Sequence, residues 1–157
     1  MRTDIGISDK NRDAVVAILN NLLADEYVLY TKTRNFHWNV TGMHFNDLHK
    51  FFEAQYETLN GSIDEIAERA RSLGGRSLGT MADFLKVARL KEYPKEYPDA
   101  KKMVLELLED HEELVNILRE DLASCAERYK DAGTSDFLTG LMEQHEKMAW
   151  MLRAHLE

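Results

Sequence analysis

The residues of this chain best placed to do chemistry are His37, His49, Glu53, Asp64 and Glu68, with Trp38 directly after the first. All lie in one stretch, FHWNVTGMHFNDLHKFFEAQYETLNGSIDEIAERARSLGG, from Phe36 to Gly75. His49 and Glu53 are four residues apart, as are Asp64 and Glu68, so on a helix each pair lies one above the other and makes half a metal site. Imidazole with carboxylate suits iron, manganese or zinc, and a carboxylate-rich site with open positions favours iron redox chemistry over a closed structural zinc site. The competing use of these acids is a solvated face in which they pair with Lys50, Arg69 and Arg71. Trp38 also has two readings, a redox partner or water shield beside a ligand, and a packing aromatic at a helix end.

Such residues need elements that position them. Leu48, Phe51, Phe52, Tyr56, Leu59, Ile63, Ile66, Ala67 and Ala70 recur every three to four residues and predict a helix over about 45–73, stopped by Gly74 and Gly75. Upstream, Ser8 or Asp9 caps a predicted helix over about 9–38 whose apolar stripe includes Val15, Leu19, Leu22 and Leu29. A tight connection over 39–43, with Gly42, returns the second helix antiparallel beside the first and brings His37 near His49. His49 and Asp64 cannot meet in the same way, because fifteen residues along one helix span roughly 22 Å. An ion with ligands at about 2 Å does not bridge that distance. Two copies of the helix, crossing antiparallel about a two-fold axis, would set His49 and Glu53 of one chain against Asp64 and Glu68 of the other and create two equivalent sites. The crossing would fall near Thr58, Gly61 and Ser62; Gly61 either permits a close approach there or is simply tolerated inside the helix.

Downstream, Thr80-Met-Ala-Asp83 resembles a capping box opening a short helix to about Ala88, and 91–98, with Pro94 and Pro98, reads as a loop. Asp99 begins a third long helix ending near Lys130 and Gly133, and a fourth starts at about Thr134 or Ser135. Two helical hairpins joined by a long crossover predict an all-α, ferritin-like four-helix bundle, with a short extra helix in the crossover, as a single domain over 1–157. His111 and His145 sit mid-stripe on the last two long helices, either as a rival interior metal pair or as core histidines satisfied by a neighbour. No Glu-x-x-His occurs, which disfavours an interior di-iron centre. Asp131, Asp136 and Glu143 gather around the start of the fourth helix, where they attract cations, unless Asp136 simply favours the helix N-terminus.

Composition narrows the function classes. The chain has 28 acidic and 20 basic residues, net charge -8, and its first twelve residues set Arg2, Lys10 and Arg12 against Asp4 and Asp9. No basic tail invites a phosphate backbone. A lone Cys125 excludes an intrachain disulfide framework, and the opening MRTDIGISDK lacks a signal-peptide core, so a cytoplasmic location is expected. No apolar run approaches the roughly 20 residues of a membrane helix. Phosphate-binding glycine loops, nucleophile elbows and paired-cysteine zinc motifs are missing.

With these residues in view, FHWNVTGMHFNDLHKFFE, the later SIDEIAERARSLGG and the closing HEKMAWMLRAHL resemble the Dps family of DNA-protecting mini-ferritins over nearly the whole chain. The resemblance implies that His37, His49, Asp64 and Glu68 are ferroxidase ligands. It places the intervening acid on Glu53, where many members carry aspartate, and Trp38 beside the centre. It further implies a di-iron site at a two-fold interface, a shell of twelve subunits storing ferric mineral, and oxidation of Fe(II), preferably by hydrogen peroxide. Asp136 and Glu143 would line acidic three-fold pores. Members that coat DNA generally use a lysine-rich terminal extension, so weak or absent DNA binding is expected. Two other functions compete: a nucleoid-binding protein whose cage is a scaffold, and a metallo-oxidase with an interior site at His111 and His145.

Overall fold

The computed structural model describes residues 3–157; Met1 and Arg2 lie outside the described residues. Helix α1 runs Asp9–Asn39 and α2 Phe45–Ser72; α3, Met81–Val87, lies in the crossover, and α4, Ala100–Ala123, and α5, Ala132–Arg153, complete the bundle. Every regular element among the described residues is helical, so the structure is the expected all-α bundle. α1 packs mainly on α2 and α4 on α5, while α3 lies against α1.

Local chemistry sets the ends of these helices. The Ser8 hydroxyl caps α1 by accepting from the Asn11 amide at 3.3 Å, and Thr80 and Asp99 accept from the amides of Asp83 and Lys102 at 3.2 and 2.8 Å. Gly42, at φ +107°, makes the reversal between α1 and α2, a conformation that costs a residue with a Cβ. Gly74, at φ +85°, closes α2.

The last hairpin departs from the prediction. α4 does not run regularly to Lys130; it gives way at Ser124–Arg128 to one π-helical turn, and the chain reverses at Lys130 with φ +58°. The wider turn presents the Cys125 carbonyl to the Asp131 amide at 2.9 Å and buries the Cys125 side chain. α5 then begins at Ala132, before the expected Thr134 or Ser135. Its cap is the Asp131 carboxylate, which accepts from the Thr134 amide at 2.9 Å and the Thr134 hydroxyl at 2.6 Å. Gly133 therefore belongs to the first turn of α5 and does not end the preceding helix.

The core is a continuous cluster of Leu, Val, Ile, Phe and Met from the long helices, with Phe84 added by α3. Buried ionic groups tie the elements together. Asp25 on α1 is fully enclosed and accepts from the amides of Arg89 and Leu90, at 2.5 and 3.0 Å, and from Arg89 Nε at 2.7 Å. One carboxylate thus anchors the chain just beyond α3. Lys32 on α1 reaches Asp110 on α4 at 2.5 Å, and Arg69 on α2 reaches buried Asp131 at 3.2 Å. Asp131 therefore caps a helix and holds an ion pair, whereas Asp136 and Glu143 face solvent.

Candidate metal centre

His37 stands in the last turn of α1 and His49 in the first turns of α2, so the short connection puts them side by side. Their rings stack with centroids 3.8 Å apart and planes 17° from parallel. Each ring bonds the other residue's backbone: His37 Nδ1 lies 2.7 Å from the His49 carbonyl oxygen, and His49 Nδ1 lies 2.8 Å from that of His37. A carbonyl can only accept, so both Nδ1 atoms carry the hydrogen. Both Nε2 lone pairs are thereby left for a metal, the orientation that outer hydrogen bonds give to ligating histidines.

The surroundings are aromatic and charged. Tyr56 meets the His37 ring edge-on at 5.2 Å and directs its hydroxyl to Glu53 Oε1 at 3.4 Å; Phe45 stacks on His49 at 5.1 Å. Glu53 lies one turn beyond His49 and is half-buried. Partial burial, with Glu53 close by, raises the Tyr56 hydroxyl above its usual pKa, against the pull of Arg34. The Arg34 guanidinium lies 5.0, 5.5 and 5.1 Å from the rings of Trp38, Tyr30 and Tyr56 and donates to the Tyr30 hydroxyl at 2.7 Å. Trp38 itself is 63% exposed and turned away from the bundle.

Asp64 and Glu68 sit in the C-terminal half of α2, both exposed. Asp64 borders a groove lined by Tyr27, Gly61, Leu78 and Phe84. The basic residues that could have neutralised these acids are engaged elsewhere: Arg69 bonds Asp131 and Thr134, and Arg71 bonds the Gly75 carbonyl. No group of three or more His, Cys, Asp or Glu side chains converges among the described residues. A Cβ added at Gly61 would meet nothing within 4 Å, so no contact inside the chain calls for glycine there. The donors that do lie together within the chain are the two imidazoles of His37 and His49, a nitrogen type that suits Fe(II).

His111 and His145 meet in the bundle interior, where each is fully enclosed. Their Nδ1 atoms are 2.8 Å apart, and His145 Nε2 lies 2.7 Å from Glu26 Oε1, also fully enclosed. The three side chains form a line from α1 through α5 to α4 and do not surround a common point. Burial, and then the neighbouring His145, hold His111 well below the usual imidazole range, so it is neutral. Sequence reasoning missed Glu26, although its signal was present: it lies three, four and seven residues after Leu23, Leu22 and Leu19, on the core stripe itself. It also missed Arg34 and Tyr30, whose roles depend on side chains from two helices.

A ferritin-like domain model matches residues 16–157. A low temperature-induced protein of Nostoc sp. is 47% identical over 156 residues, covering 99% of this chain and 87% of that protein. DNA protection during starvation protein 2 of Bacillus anthracis is 40% identical over 143 residues, covering 90% of this chain and 96% of that protein. The chain belongs to the Dps family of ferritin-like proteins. In three dimensions it is similar to the Dps protein of Vibrio cholerae, with a TM-score of 0.92, 34% identity and coverage of 100% of this chain and 98% of that one. That structure is described as a member of a broad superfamily of ferritin-like diiron-carboxylate proteins. Dps membership supports iron storage, DNA protection and ferroxidase-type oxidoreductase chemistry at that general level. Among the described residues no helix is long and apolar enough to cross a membrane.

Proposed function

We propose that this Dps protein is a ferroxidase and iron-storage shell that oxidises Fe(II), preferably with hydrogen peroxide, and keeps the ferric product as mineral. The observation that carries the reading is the His37–His49 pair: two mutually braced rings with both Nε2 atoms free, with Glu53 one helical turn beyond His49. Asp64 and Glu68 of a second copy complete the site across a two-fold axis. Their lack of partners on α2 and the open space at Gly61 support this arrangement. The whole chain acts as one domain and assembles, in this reading, into a cytoplasmic dodecamer with paired iron positions at each two-fold interface.

The chain's own residues divide the work. The backbone carbonyls of His37 and His49 hold protons on Nδ1, so the imidazoles present lone pairs without any change of tautomer. Glu53, Asp64 and Glu68 bring negative charge, which favours the ferric over the ferrous ion, and carboxylate oxygens suit both. Trp38, next to His37 in sequence and stacked under Arg34, shields the site or accepts a hole from it in this reading, while Asp136 and Glu143 give iron an acidic approach. Net charge -8 makes DNA binding weak or absent at neutral pH and moderate salt, to be checked by gel shift at stoichiometric shell concentrations.

The central test adds Fe(II) and then peroxide to purified protein while following ferric absorbance and particle size. A saturable phase and soluble ferric iron comigrating with a large particle are expected. Precipitation at the rate of a protein-free control would exclude the proposal.

A further inference from the structure

Tyr56, Tyr30 and Tyr27 form a row that connects the two halves of the candidate centre inside one chain. The row starts at His37, whose ring meets Tyr56 edge-on at 5.2 Å; Tyr56 meets Tyr30 at 6.0 Å, and Tyr30 meets Tyr27 at 6.2 Å, all near perpendicular. At its far end Tyr27 lines the groove that Asp64 borders. The row thus covers the ten residues of α1 from His37 to Tyr27, about 15 Å, in steps that keep successive rings in near contact.

We infer that this row is an electron relay between the two equivalent centres of a dimer, and that it supplies peroxide with its second electron when a centre holds only one Fe(II). The inference rests on the proposed two-chain site, since only there does each chain's Asp64 end belong to one centre and its His37 end to the other. Peroxide needs two electrons to become two waters, and a single Fe(II) gives one; the one-electron product is the hydroxyl radical. Here H2O2, Fe(II), the Tyr56 phenol and one proton become Fe(III), a neutral Tyr56 phenoxyl radical and two waters. The phenolic proton leaves toward Glu53 Oε1, 3.4 Å from the Tyr56 oxygen. A guanidinium lying 5.1 and 5.5 Å from the Tyr56 and Tyr30 rings disfavours a positively charged ring, so oxidation must release that proton. The radical then passes through Tyr30 and Tyr27, half-buried phenols that each lose a proton to solvent on oxidation and regain one on reduction, and Fe(II) at the second centre supplies the electron that restores the last phenol and becomes Fe(III). The sum is two Fe(II) oxidised per peroxide with no free radical.

The experiment loads the assembled protein with one Fe(II) per chain, adds peroxide, and compares freeze-quenched electron paramagnetic resonance spectra and hydroxyl spin-trap yields. Wild type should show a transient tyrosyl signal and little trapped radical. Tyr56→Phe keeps the ring and its packing, and should lose that signal and trap more hydroxyl radical per Fe(II) bound. Tyr30→Phe, which touches neither Glu53 nor His37, should keep the signal but slow its decay. The relay is overturned if wild type shows no tyrosyl signal, if Tyr56→Phe leaves signal and trap yield unchanged, or if Tyr30→Phe leaves the decay unchanged. Failure of the underlying site is distinguishable: wild type would then lack saturable Fe(II) oxidation altogether, and the relay would fall with it.

Discussion

Two histidine pairs occupy this bundle, and they are built in opposite ways. At the edge, His37 and His49 lie ring upon ring, and each Nδ1 is taken by a backbone carbonyl. In the middle, His111 and His145 meet nitrogen to nitrogen, and the outer nitrogen of His145 is taken by Glu26. Backbone bracing leaves the edge pair's lone pairs available to an outside ligand; in the core pair both nitrogens of His145 are taken, and His111 Nε2, though without a partner, is sealed inside the bundle. The same residue type is therefore a ligand candidate in one place and a polar plug in the other, and hydrogen-bond partners decide which.

The sharpest way to break this contrast is to remove the middle of the interior line. His145→Ala leaves buried Glu26 and His111 without their shared hydrogen-bond partner, and each polar group so stranded costs about 1–3 kcal/mol. Denaturant unfolding should show that loss, and Fe(II) binding by the remaining folded protein should be unchanged. At the edge the pattern reverses. His49→Ala should weaken Fe(II) binding at least about 100-fold, or about 2.8 kcal/mol, by titration calorimetry, with a smaller change in unfolding midpoint than at the interior line because His49 is only half-buried.

A third test uses pH. His111 is held below its usual value, so as pH falls below about 6.5 the unfolded chain gains a proton that the folded chain refuses. Stability from this group is complete above pH 6.5 and declines on acidification, by up to about 1.4 kcal/mol per pH unit, until the folded state is forced to protonate. Urea midpoints at successive pH values should show the slope, and His111→Gln should flatten it. The smallest effect is expected at Asp136→Asn, an exposed acid away from both pairs, within about 0.5 kcal/mol in stability. Slower Fe(II) uptake into the shell without a change in ligand affinity would assign it to an approach route.

Much of this contrast was legible in the chain itself. The apolar stripes, Gly42 and Gly74, and the caps at Ser8, Thr80 and Asp99 are local signals, and the helices follow them closely. The twelve-residue step from His37 to His49 around a tight turn is by itself enough to bring those residues together. The π-turn at Ser124–Arg128 was not legible, because helix periodicity is indifferent to one widened turn. Asp131, grouped by its sequence position with cation-attracting acids, is a buried cap and ion-pair partner, a role set by Arg69 from a distant segment. The stacked geometry that frees both Nε2 atoms also depends on backbone carbonyls, which have no sequence signature.

The π-turn has a consequence for redox durability. It encloses the chain's sole sulfhydryl, and that burial, with Asp121 and Asp131 nearby, pushes the Cys125 pKa up to about 12. At neutral pH only about one molecule in 10⁵ carries the reactive thiolate. A subunit meant to meet oxidant repeatedly would then offer nothing easily sulfenylated, and its copies could crowd together without being crosslinked into disulfide-linked aggregates.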